Sequence, residues 1–139
     1  MTGPELIKIA KELNLPNDQY LIVGSGPMVV RNIREGADID IVAKPELLEK
    51  LMNEYPTKED NGKKVIELRP DVDITANGIF QDGSVLSLTE MFEKANLIED
   101  IPFLNLEQLI IFKQKLNREK DQKDIELIKL YLTEHQNPQ

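Results

Sequence analysis

The sequence predicts an α/β (α+β) domain: a small mixed β-sheet backed by helices, with two more helices at the C-terminal end. Three observations carry this. Short apolar runs bounded by turn residues recur at Tyr20–Val23, Lys63–Leu68 and Val72–Ala76, and Asp38-Ile39-Asp40-Ile41 alternates as a half-buried strand does. Segments with apolar residues at helical spacing lie before, between and after these runs. No linker or repeat divides the chain.

Thr2 followed by Glu5 makes a capping box, and Leu6, Ile9, Ala10 and Leu13 form one stripe of a helix expected to run to Asn14. Tyr20–Val23 is a strand that stops at Gly24-Ser25-Gly26. Pro27 then opens a short helix that closes near Gly36, with proline at its start and glycine at its end. In the strand that follows, Asp38 and Asp40 point one way while Ile39 and Ile41 point into a core. Pro45 begins a helix with Leu47, Leu48 and Leu51 inward, ending before Pro56. The polar stretch Thr57–Gly62 reads as a loop. Lys63–Leu68 and Val72–Ala76 read as strands joined by Arg69-Pro70-Asp71, with a further reversal at Asn77-Gly78, so a meander extends the sheet. Ser87 and Glu90 make a second capping box before a helix over about Leu88–Ala95, and Asn96–Asn105 reads as an irregular crossing segment fixed by Pro102. Leu106, Leu109, Ile110, Lys113 and Leu116 set the stripe of one terminal helix. Ile125, Leu127, Ile128, Tyr131 and Leu132 set that of the other, with a break at Asn117. The whole, residues 1–139, is expected to be one domain with a core over about 18–80 and a C-terminal helical part over about 87–135.

With 139 residues, 40% of them apolar, the chain suits a single core that buries about 70% of its unfolded surface. It lacks the basic-then-apolar signature of a secretion signal and any long apolar run, so the expected location is the cytoplasm, with no membrane partner. Zero cysteines exclude a thiolate nucleophile, a zinc–thiolate site and an iron–sulfur cluster. The only histidine, His135, lies near the C-terminal end, which argues against histidine acid–base catalysis. A formal charge of −8 opposes the electrostatic footprint of a protein that grips long nucleic acid through its phosphates.

Asp73, flanked by Val72 and Ile74, faces away from the apolar side as Asp38 and Asp40 do. If the strands are neighbours, three carboxylates converge, and their mutual repulsion favours a bound cation. Oxygen-only ligands point to Mg²⁺ or Mn²⁺. The turn adds the other half of a nucleotide site. Gly24 and Gly26 let the backbone approach a ligand closely, the helix start at Pro27 aims free amides at it, and Ser25 can donate its hydroxyl to a phosphate oxygen.

In this order, Val23-Gly24-Ser25, Asp38-Ile39-Asp40 and then Asp73 resemble the nucleotidyltransferase superfamily with the DNA polymerase β-like fold, and within it the small prokaryotic members among antitoxin-like and abortive-infection proteins. The C-terminal part adds Leu106-Glu107-Gln108-Leu109, Lys113 and the run Arg118-Glu119-Lys120-Asp121-Gln122-Lys123-Asp124, which resemble that group's two terminal helices. The resemblance covers about residues 18–132. It implies that Asp38, Asp40 and Asp73 hold Mg²⁺ (or Mn²⁺), that Asp73 also helps deprotonate an acceptor hydroxyl, and that Gly24, Ser25 and Lys113 bind the triphosphate. The implied reaction moves a nucleoside monophosphate from an NTP to a hydroxyl of a protein, small molecule or RNA. A toxin-like protein partner or a homodimer is implied as well. Two positions depart from the pattern: Ala37 stands where many relatives have Ser or Thr, and Gln108 replaces an acidic residue.

Simpler readings compete at each residue. Glu67 or Asp71 rivals Asp73 as third carboxylate, although an aspartate after proline is commonly turn chemistry. Arg31 and Arg34 either reach phosphates or line a solvated helix face. Lys113 either meets the triphosphate or snorkels from its apolar stripe to solvent. Arg118, Lys120, Asp121 and Asp124 read most simply as intrahelical ion pairs. At the level of function, the rivals are a non-catalytic module that binds a protein partner and a metal-dependent phosphodiesterase.

Overall fold

Every residue of the strand Tyr20–Val23 (β1) is buried, and its side chains feed two different cores, Tyr20 and Ile22 on one face and Leu21 and Val23 on the other. A strand apolar on both faces belongs at the centre of a covered sheet. The computed structural model describes residues 1–60, 63–75 and 87–135. In chain order its elements are α1 (Gly3–Leu13), β1, α2 (Gly26–Val29), β2 (Ile39–Ala43), α3 (Pro45–Glu54), β3 (Thr57–Asp60), β4 (Lys63–Arg69), β5 (Val72–Thr75), α4 (Leu88–Glu93), β6 (Asn96–Ile98), β7 (Ile101–Phe103), α5 (Leu106–Leu116) and α6 (Glu119–His135). The strands form one mixed sheet in the order β3-β4-β5-β2-β1-β7-β6. β1 runs antiparallel to β2 and parallel to β7, and β2 runs parallel to β5.

Residues of α1 and α3 cover one face, where Leu6, Ile7, Ala10, Leu47 and Leu51 pack with Ile22, Ile39, Ile41, Ile66, Val72 and Ile74. Residues of α4, α5 and α6 cover part of the other, where Met91, Leu106, Leu109 and Ile128 pack with Leu21, Val23 and Val42. No helix among the described residues is long and apolar enough to cross a membrane.

Both capping boxes form, at Thr2–Glu5 and at Ser87–Glu90. α1 and α5 end where expected, with Asn14 and Asn117 in the left-handed region that asparagine tolerates. Three elements differ from expectation. The helix after Pro27 is four residues long, because Asn32 (φ +60°) closes it: Ile33 N–H donates to Met28 O and Asn32 N–H to Val29 O, a Schellman pattern well before Gly36. Thr57–Asp60, expected as loop, is an edge strand paired with β4, and its charged composition suits an edge that must not recruit another chain. Asn96–Phe103, expected as irregular, is a hairpin whose two loop residues, Glu99 and Asp100, both have positive φ, so the C-terminal part is not only helical. Pro102 has no amide to give, in keeping with a β1–β7 ladder of one registered pair, Ile22 with Phe103, continued by Leu104 N–H donating to Ile22 O at 2.9 Å. The reversal at Asn77-Gly78 lies outside the described residues.

Gly26 is buried, and a Cβ added there would collide with Ile22 Cγ2 in the centre of the sheet. Gly26→Ala is therefore expected to lower unfolding free energy by about 1–3 kcal/mol, as overpacking does, measured by denaturant titration.

Candidate functional site

β2 registers Asp40 opposite Asp73 of β5, β4 registers Glu67 opposite Asp73 from the other side, and β1 sets Val23 opposite Asp40. One row, Val23-Asp40-Asp73-Glu67, thus crosses four strands. The strands carrying Asp40 and Asp73 are neighbours, as convergence of the carboxylates requires. Burial of Ile39, Ile41, Val72 and Ile74 in the opposite core turns both aspartates to the face that the C-terminal helices only partly cover. Asp38 precedes β2 with the same parity, and both it and Asp40 are exposed. Ile39 N–H donates to Asp71 O at 2.8 Å, extending the pairing to the start of the strand. Asp71 itself sits at φ +66° in the turn before β5, in keeping with turn chemistry.

The turn after β1 is fitted to this row. Gly24 has φ +65°, and an ideal Cβ there would lie 2.6 Å from Asp40 Oδ2. Both its backbone conformation and the nearby carboxylate require glycine. Ser25 precedes α2, its carbonyl accepting from Met28 and Val29 N–H at 2.9 Å each, while its hydroxyl makes no capping bond and lies against Gly36. With four residues, α2 sums only a small dipole, so the expected contribution of its amino end to phosphate binding is slight.

Adjacent strands lie about 4.8 Å apart, a spacing at which two carboxylates repel by about 1 kcal/mol in water and about 3 kcal/mol at an effective dielectric near 20. Part of this repulsion is offset inside the protein. Lys58 Nζ of β3 lies 2.9 Å from Glu67 Oε2 and 3.8 Å from Asp73 Oδ1. Among the described residues no group of three His, Asp or Glu side chains gathers closely enough to hold a metal ion in this structure. In donor type Asp40, Asp73 and Glu67 suit a hard divalent cation, being carboxylate oxygen alone, and the Asp40 carboxylate fills the space that the missing Cβ of Gly24 leaves.

Lys113, to which the resemblance assigns the triphosphate, is engaged with protein carboxylates. It is 8% exposed and neither snorkels to solvent nor stands free for a phosphate. Its ammonium donates to Asp124 Oδ2 at 2.9 Å and lies 3.6 Å from Asp121 Oδ1. Arg34 grips the same Asp124 through two bonds of 2.8 and 2.9 Å, and Arg118 holds Asp121 through bonds of 2.6 and 3.1 Å. Three cations and two carboxylates thus form one network joining the segment before β2 to both terminal helices. Only Arg118–Asp121 is a local pair, so the expectation of intrahelical pairing does not hold for Asp124. Burial works to raise both aspartates, yet the hydrogen bonds and charge of Arg118, with the charge of Lys113, hold Asp121, and the hydrogen bonds and charges of Arg34 and Lys113 hold Asp124, below the usual carboxylate range. Arg31 is also engaged, donating to Pro27 O and Asn96 Oδ1 at 2.8 Å each. Gln108 is buried and its amide donates to Glu90 O at 3.3 Å, a contact that an ionised carboxylate could not make.

No protein-family model matches the chain, and no curated protein matches its sequence significantly.

Sequence reasoning missed Lys58, because Thr57-Lys58-Glu59-Asp60 contains no apolar residue to mark a strand. It also missed the network, although a signal was there: Asp121 and Asp124 stand at helical spacing before Ile128, and Lys113 lies in the inward stripe of the preceding helix. Opposite charges on two inward stripes can meet. Leu116 and Leu127, placed in those stripes, are instead exposed.

Removing one member of a buried ion group leaves its partners uncompensated, so Asp124→Asn is expected to destabilise the protein by about 3–5 kcal/mol at neutral pH. Because the folded-state pKa values of Asp121 and Asp124 are depressed, their stabilisation is complete above the unfolded value near pH 4 and is lost as pH falls through the lower folded values. The gap between wild type and Asp124→Asn should therefore narrow below about pH 4 in denaturation curves taken across pH.

Proposed function

We propose that the chain is a nucleotidyltransferase-type domain that binds Mg²⁺ or Mn²⁺ with Asp38, Asp40 and Asp73 and transfers a nucleoside monophosphate from an NTP to a hydroxyl. The observation that carries this reading is the registration of Asp40 opposite Asp73 beside a turn whose Gly24 is shaped around the Asp40 carboxylate. When bound, the cation would neutralise phosphate charge and polarise the phosphorus under attack. Asp73 would accept the proton of the acceptor hydroxyl, whose oxygen bonds to the α-phosphorus as the bond to pyrophosphate breaks. Ser25, at the end of β1, would donate to a phosphate oxygen after turning from Gly36. Lys113 acts in this reading by holding Asp124, and through it Arg34, four residues ahead of Asp38. The acceptor is a protein, a small molecule or an RNA end, and a toxin-like partner or a second copy of the chain would supply the surface that receives it.

A second reading, a non-catalytic module of the same fold that works by binding a protein, is favoured by one observation. The three cations that the sequence offers for phosphate, Arg31, Arg34 and Lys113, are all engaged with protein groups.

Calorimetric titration of each NTP with Mg²⁺ separates the two. Wild type is expected to bind at least one NTP only when Mg²⁺ is present, and the folded Asp38→Asn, Asp40→Asn double variant is expected to lose that binding. A folded wild type that binds no NTP would remove the transferase reading and leave the partner-binding one.

A further inference from the structure

β3 pairs with β4 so that Lys58 stands opposite Val65, on the face that Val65 shares with Glu67 by alternation. Glu67 stands opposite Asp73, which places Lys58 at the open flank of the acidic row. Its distances to these two carboxylates are unequal, 2.9 Å to Glu67 and 3.8 Å to Asp73. The ammonium is thus anchored on Glu67 and leans towards the aspartate that the proposed metal site needs. A divalent cation on Asp73 and an ammonium at this distance would repel each other. Whichever is present disfavours the other.

We infer that Lys58 is the resident counter-cation of Asp73, which a divalent ion must displace, and that Glu67 is the residue that holds Lys58 aside rather than a metal ligand. This rests on the metal site proposed above. It gives the row a defined charge state before any ion arrives, and it assigns Glu67 a role different from that of the third carboxylate. Lys58 is 46% exposed, so its ammonium can move out to solvent, while Asp73 Oδ1, the oxygen it faces, is buried and is the atom its departure would uncover. Lys58 belongs to an edge strand, bonded to the sheet on one side only, where side chains reorient at small cost.

The test is a titration of Mn²⁺, followed by electron paramagnetic resonance of the free ion, into wild type and the folded variants Lys58→Met, Lys58→Arg, Glu67→Gln and Lys58→Met with Glu67→Gln. Lys58→Met is expected to bind Mn²⁺ about fivefold more tightly than wild type, and Lys58→Arg, which keeps the charge, to stay within about twofold of it. Glu67→Gln should weaken binding, because it releases the ammonium onto Asp73. The double variant should bind no more than about tenfold less tightly than Lys58→Met, the through-space loss of one nearby negative charge, since Glu67 has no ammonium left to hold. Mn²⁺ binding by wild type that Lys58→Met does not tighten would overturn the inference while leaving the metal site intact. A weakening of more than about tenfold when Glu67→Gln is added to Lys58→Met, beyond what loss of a nearby charge accounts for, would make Glu67 a ligand and overturn its assigned role. No Mn²⁺ binding by either wild type or Lys58→Met would remove the metal site itself, and the inference with it.

Discussion

The parallel pairing of β2 with β5 is the constraint on which the rest depends. Ile39 and Ile41 on one strand, and Val72 and Ile74 on the other, are each almost fully buried, and these four side chains fix both registers at once. A slip of one residue would turn Asp40 and Asp73 into the core and the isoleucines out to water, a change that no partner in that core could compensate. The acidic row is therefore a by-product of apolar burial as much as a feature of its own. Gly24 follows from it, since the carboxylate of Asp40 lies where a Cβ would be.

Much of this was legible in the sequence, for reasons that are local. Both capping boxes, the proline starts of α2 and α3, the asparagine ends of α1 and α5, and the alternation that turns Asp40 and Asp73 to one face are written in spacings of a few residues. The two outer hairpins were not legible. β3 carries no apolar residue, and the β6–β7 loop uses Glu99 and Asp100 where glycine or asparagine would have signalled a turn. In these places pairing with a neighbour overrides local preference. The candidate site divides in the same way: the carboxylates follow from parity, while the cations near them depend on contacts distant in sequence, Arg34 with Asp124 above all.

That distant network also shows how the charge of Lys113 is met inside the protein. A lysine in an apolar stripe has two ways to keep its charge, to reach water or to bring its own counter-ions inside, and here Asp121 and Asp124 meet it from the facing helix. Buried ion groups add little net stability compared with well-packed apolar residues, but they penalise every arrangement that leaves a charge alone. Here the arrangement so defined is the docking of the α5–α6 pair against the segment that leads to Asp38.

The position of β7 carries a different kind of consequence. It lies beside β1, joining Ile22 to Phe103 across most of the chain, while β2 lies on the other side of β1. The central strand therefore has both neighbours only after the eighty intervening residues have been made and threaded past it. Loop closure over such a separation precedes the contacts that reward it, which places this domain among slower folders for its size. On the ribosome, β1 must wait with one apolar edge open until β7 emerges, and that interval is when a chain of this topology is most in need of protection.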